Sequence, residues 1–151
     1  VHESHITDIL SKINRPCIRY TKATEEEAAK AECLIIDCFG LLSSIYRYGE
    51  AAYIGGGFGV GIHNILEPAV YGMPVIFGPN YHKFREAVEM VKAGAAFPIN
   101  EGSEFKAIVD DLYDLNSTTL EETSSVAHHF VSSNCGATDI VLDAIFGSKE
   151  D

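Results

Sequence analysis

Five short and almost continuously apolar runs, at 17–20, 33–38, 51–55, 74–78 and 95–99, alternate with helical stretches at about 4–13, 24–31, 41–48, 63–72 and 83–93. A strand that is apolar on both sides has to be covered on both faces, the situation of a parallel sheet in an α/β protein. Strand–helix–strand units repeated in this way predict a Rossmann-like, doubly wound parallel sheet. Gly49, Gly72 and Gly94 stand where helix C-caps are expected. After Asn100 the pattern is helical only, over 104–115, from Ser117 or Thr118 to about 133, and from Gly136 to 146. These helices are expected to pack across the sheet. A doubly wound fold normally opens on a strand, and this chain opens on the helix-like 4–13. The expectation is therefore a domain truncated at its N-terminus.

The 151 residues suffice for one domain, 1–151, with a core of its own. Apolar residues at 46% and charged residues at 22% exclude a disordered or fibrous chain. No apolar run approaches the roughly 18 residues of a membrane-spanning helix, and the Val at position 1 is followed by no recognisable leader. The net charge of −11 disfavours nucleic acid, whose phosphates need clustered Lys and Arg. That charge is unevenly placed. Residues 40–100 carry four basic and four acidic groups, whereas 101–151 carry two basic and eleven acidic ones, so an anion meets least repulsion in the middle of the chain. Cys17, Cys33, Cys38 and Cys135 form no C-x-x-C pair and have no zinc-like spacing with the histidines. They read as reduced thiols, and no metal site or cofactor is expected.

Chemistry is expected in residues 53–80, where a strand runs into a loop with five glycines among residues 55–61, then a short helix, a second strand and the turn Gly78-Pro79-Asn80. In open α/β sheets ligands lie beyond the carboxyl ends of the strands. Glycines there let backbone N–H groups approach a phosphate, and a following helix N-terminus adds positive potential. The loop matches neither G-x-G-x-x-G nor a Walker sequence. Asn64 and Glu67 sit three apart just before Pro68, which leaves two readings open. The carboxylate accepts both hydroxyls of a ribose diol, or the pair is a capping box with Asn64 at the N-cap and Glu67 at N3. Asp37, Phe39 and Gly40 close the second strand and are candidates to border a nucleobase. Lys83 and Arg85 follow the second turn, as candidates for an anionic group or as solvated helix charges.

Two segments carry a resemblance. One is Gly55-Gly56-Gly57-Phe58 followed by Gly61-Ile62-His63-Asn64-Ile65-Leu66-Glu67-Pro68-Ala69, the other Gly72-Met73-Pro74-Val75-Ile76-Phe77-Gly78-Pro79. Together they resemble the C-terminal donor-binding domain of the 3-deoxy-D-manno-octulosonic acid (Kdo) transferases, glycosyltransferases of the two-Rossmann-domain (GT-B) type. Asp37-Cys38-Phe39-Gly40 is similar to the family's D-T-x-G-E loop, with Leu41 in place of Glu, and Phe84-Arg85-Glu86-Ala87 to its F-x-E segment.

The resemblance implies transfer of Kdo from CMP-Kdo to a lipid A precursor, in lipopolysaccharide biosynthesis at the cytoplasmic face of the bacterial inner membrane. It implies no metal, an acceptor hydroxyl attacking the anomeric carbon as CMP departs, and a general base in an acceptor domain absent here. By itself the fragment is therefore expected to be inactive and to contain no catalytic residue. Donor contacts carry over to Gly56, Gly57, Phe58, Gly59, Gly61, His63, Asn64 and Glu67, with base or anion contacts at Asp37, Phe39, Gly40, Asn80 and Lys83. Relatives open this domain with two further strands. Their absence would cost 33–38 its inner neighbour and 17–20 the strand it would pair with in the intact sheet, and would favour self-association. The alternatives are another GT-B UDP-sugar transferase or 2-epimerase, and a non-catalytic nucleotide-binding interaction module.

Overall fold

The computed structural model describes residues 2–147. They form two compact units, divided between Ile45 and Tyr46.

The first unit contains helix α1 (Glu3–Lys12), strand β1 (Cys17–Arg19), helix α2 (Glu25–Ala28), strand β2 (Cys33–Ile35) and helix α3 (Leu42–Ile45). β1 and β2 pair in parallel with Cys17 opposite Cys33 and Arg19 opposite Ile35. The expectation that 17–20 lacks a neighbour thus fails, because β2 is that neighbour. All four cysteines are free thiols, and burial, with Cys33 alongside, pushes the Cys17 thiol up. Helix α2 is only four residues long and is started by a capping box. The Thr24 hydroxyl accepts from the Glu27 N–H, and the Glu27 carboxylate accepts from the Thr24 N–H. Among the described residues of this unit, Ile6 is the only buried apolar one.

The second unit contains β3 (Ala52–Ile54), α4 (Leu66–Val70), β4 (Val75–Phe77), α5 (Arg85–Ala93), β5 (Ala96–Pro98), α6 (Gly102–Leu112), α7 (Thr119–Ser133) and α8 (Ala137–Phe146). Its three strands are parallel in the order β3-β4-β5, with Ala52, Val75 and Ala96 in one row of the ladder and Tyr53, Ile76 and Phe97 in the next. Alternation along each strand sends the first row to one face and the second to the other. Val75 and Phe77 meet Ala69, Ala87, Met90 and Ala127 of α4, α5 and α7. Ile76 meets Ile108, Val109 and Leu112 of α6 on the opposite face. The central strand β4 is buried throughout, which explains why its sequence is apolar without alternation.

All five expected strands form, each within its expected range, and every helical stretch contains a helix. The sheet, however, is hydrogen-bonded as two pieces, with no ladder joining β2 to β3 among the described residues. The C-terminal cover is also smaller than expected. Helices α6 and α7 cover the two faces, but α8 contains no buried residue and leaves Ile140, Ile145 and Phe146 exposed.

Candidate functional site

The glycine loop follows β3 and folds back on itself. Gly57 N–H donates to the Gly61 carbonyl at 2.8 Å, His63 N–H donates to the Gly55 carbonyl at 3.1 Å, and Gly56 forms an antiparallel bridge with Ile62. The fold-back demands glycine at its base. Gly56 has φ of +84°, and a Cβ there would lie 2.2 Å from the Gly61 oxygen. Gly57 has φ of +78°, and a Cβ there would lie within 2.8 Å of three backbone atoms of Gly78, the glycine that follows β4. The two carboxyl-end loops are therefore in backbone contact. Asn80 fastens them further, its N–H donating to the Gly57 carbonyl at 2.9 Å and its side-chain amide to the Gly59 carbonyl at 2.8 Å.

At the loop tip the N–H groups of Phe58, Gly59 and Val60 donate to no acceptor among the described residues, and all three residues are exposed. Donors unpaired at an exposed tip can accept an anion. The expected contribution of a helix N-terminus is weaker than the sequence suggested. Helix α4 begins at Leu66, five residues after the last glycine of the loop, and is only five residues long.

Asn64 and Glu67 do meet, but not as a capping box. The N-cap is Ile65, so Glu67 occupies N2, and no capping bond reaches back from it to a backbone N–H. Instead the Asn64 Oδ1 accepts from Leu66 N–H at 3.0 Å, and its Nδ2 donates to Glu67 Oε1 at 2.9 Å. Asn64 thereby orients the half-buried carboxylate and leaves Glu67 Oε2 without a hydrogen-bond partner among the described residues. Glu67 also faces Tyr46, whose hydroxyl is pushed up in pKa by burial and then by the Glu67 charge. Tyr46 was missed in the sequence, where nothing in the 41–48 helical pattern marks it as a neighbour of Glu67.

His63 is exposed beside Gly55. Lys83 is exposed and has no ion-pair partner among the described residues, whereas Arg85 is occupied by Glu89 at 2.7 Å. Of the two cations suggested by the sequence, Lys83 is the one available to a ligand.

In the first unit, Asp37 stands just past β2. Its side chain is 1% exposed and both of its oxygens are engaged. Thr21 N–H donates to Oδ1 at 3.0 Å, while the Thr21 hydroxyl and Arg19 Nε donate to Oδ2 at 2.6 and 2.7 Å. The Thr21 hydroxyl and N–H, with the Arg19 guanidinium, hold this carboxyl well below the usual carboxylate range. Arg19 in turn grips Glu3 with both terminal nitrogens. Asp37 thus anchors the start of the loop that presents Phe39, which is 86% exposed, and Gly40 at φ of +86°. Among the described residues no group of three or more His, Cys, Asp or Glu side chains could hold a metal ion, and no helix is long and apolar enough to cross a membrane.

Parallel strands ending in glycine loops, with unpaired N–H groups and an oriented carboxylate at their carboxyl ends, define a Rossmann-like ligand-binding domain. Comparison with known proteins narrows that class. The fold is that of the C-terminal CMP-Kdo binding domain of WaaA from Acinetobacter baumannii, with a TM-score of 0.65 over 85% of this chain and 67% of that one, at 21% identity. In sequence the chain is similar to 3-deoxy-D-manno-octulosonic acid transferases. It is 34% identical to that of Aquifex aeolicus over 101 residues, covering 66% of this chain and 29% of the relative. It is 32% identical to that of Rickettsia bellii over 113 residues, covering 74% and 27%. The chain therefore spans about three tenths of these relatives' length. No family model matches it.

Proposed function

We propose that this chain is the donor-binding part of a Kdo transferase, binding CMP-Kdo for transfer to a lipid A precursor at the cytoplasmic face of a bacterial inner membrane. The observation that carries the reading is the sequence similarity to Kdo transferases, which extends over two thirds of the chain. The local geometry supports it. The N–H groups of Phe58, Gly59 and Val60 are placed to receive a phosphate, and preorganised dipoles of this kind stabilise a departing phosphate without reorganisation. Lys83 supplies a charge for the phosphate or the sugar carboxylate. Glu67, aimed by Asn64, retains one free oxygen for ribose hydroxyls. Asp37 anchors the loop that presents Phe39 and Gly40, the residues proposed for contact with a base. The acceptor, the general base and the membrane contact belong to segments other than this one, so the chain alone is expected to transfer no sugar.

Calorimetric titration of the 151-residue chain with CMP, CMP-Kdo and UDP tests this. CMP-Kdo is expected to bind and UDP to bind more weakly; equal affinity for CMP and UDP would reject the donor assignment. Glu67→Gln keeps the Asn64 contact but removes the charge that strengthens acceptance from a diol. Bonds to charged groups contribute about 1.5–3 kcal/mol, so CMP affinity should fall roughly 10- to 100-fold. An unchanged affinity would assign Glu67 to the α4 turn alone.

A further inference from the structure

A cleft of about 400 Å3 opens on the α6 face of the three-stranded sheet, lined by Tyr53, Phe58, Ile99, Glu101, Gly102 and Phe105. That volume is in the range of small-ligand sites. The Tyr53 and Phe105 rings lie 5.7 Å apart between centroids at an interplanar angle of 89°, an edge-to-face pair that forms one corner of the cleft. Phe58, reaching over from the glycine loop, supplies a third ring. All three rings are exposed rather than absorbed into the core. Ring faces carry negative quadrupole potential, and several rings around one space attract a cation more than they attract a neutral group.

The charges around the cleft point the same way. Glu101, whose Oε1 accepts from the Ser103 hydroxyl, is its only charged lining residue, and no Lys or Arg lines it among the described residues. The α6 N-terminus opposes a cation with about half a positive charge. Glu101 at the N-cap and Glu104 in the first turn together carry two full negative charges, so the negative sign prevails. Glu104 also accepts the Asn100 N–H at 2.6 Å, which satisfies a donor that could otherwise have served an anion. An anion would meet carboxylate and ring faces, and a neutral hydrocarbon would make no use of the second Glu101 oxygen, which Ser103 does not engage.

We propose that this cleft binds an organic ammonium ion of about the size of choline, either free or carried as a lipid headgroup. The cleft shares Phe58 with the proposed donor site, through its ring rather than its N–H, but the proposal does not rest on the donor assignment, because its charge and its other two rings come from Glu101, Tyr53 and Phe105. Nuclear magnetic resonance titration of the full chain with choline chloride and with 3,3-dimethylbutan-1-ol, its neutral isostere, tests it. Choline is expected to shift the ring signals of Tyr53, Phe58 and Phe105 and to bind about fivefold more tightly than the isostere. Glu101→Gln, at an exposed position, should weaken choline severalfold and leave the isostere unchanged. Phe105→Leu, which keeps apolar contact but removes a ring face, should abolish the preference between the two. Co-sedimentation with phosphatidylcholine vesicles, lost in Glu101→Gln, would assign a headgroup, and choline binding without it would assign a free ammonium. Equal affinity for choline and the isostere, indifference of choline to Glu101→Gln, or no ring shift with any of these probes would overturn the proposal.

Discussion

Residues 2–45 and residues 46–147 both present short parallel strands, yet they are stabilised by different means. The second unit buries an unbroken apolar strand, β4, between helices on both faces. The first has Ile6 as its one buried apolar residue and concentrates its specific bonds on a carboxylate, with Asp37 receiving Thr21 and Arg19 while Arg19 holds Glu3. A parallel pair of strands can therefore persist with little core when a buried charge is fully bonded. The cost is dependence on one ionisation state, since a bonded buried charge left without its partners is strongly destabilising.

This contrast can be broken from either side. The largest effect is expected in the second unit, where Phe77→Ala leaves a cavity under a fully buried ring and should cost about 3–5 kcal/mol, read as a lowered urea midpoint. Gly57→Ala should cost about 1–3 kcal/mol in backbone strain and open the joined loops. The sharpest sign would be lost hydrogen-exchange protection at the Asn80 N–H, which donates to the Gly57 carbonyl.

Acid should act on the first unit before the second. The folded-state pKa of Asp37 is depressed, so its stabilisation is complete above the ordinary carboxylate value near 4 and declines as pH falls below it. Amide protection in β1 and β2 is expected to fade progressively as pH falls below about 4 while that of β4 persists; simultaneous loss would erase the distinction. Smallest of all, Thr24→Ala removes a cap and should cost about 1 kcal/mol, visible only in exchange at α2.

The elements were legible because their signals are local. The runs at 74–78 and 95–99 announce β4 and β5 by composition, and Gly94, at φ of +85°, ends α5 where the sequence places a C-cap. What escaped the sequence depends on pairing between distant residues. The donors to Asp37 lie 16 and 18 positions away, so its burial could not be read from the loop motif. The contact of Gly57 with Gly78 joins two loops 21 residues apart, and the break in the sheet is a matter of which strand edges meet. Asn64 and Glu67 were legible as a pair, yet the shape of their turn was not. Pro68, Ala69 and the helix start at Leu66 place Glu67 at N2 rather than N3, which decides what its carboxylate can reach.

The meeting of Gly57 with Gly78 also restricts how such a chain can vary. At each position an added Cβ would strike the main chain of the other within 2.9 Å, and in neither direction is a trimmable side chain the first obstacle. A second substitution elsewhere therefore cannot make room for the first. The two positions form a locked pair without a rescuing partner. A library randomised at both should return glycine at each independently, rather than exchanging bulk at one for space at the other.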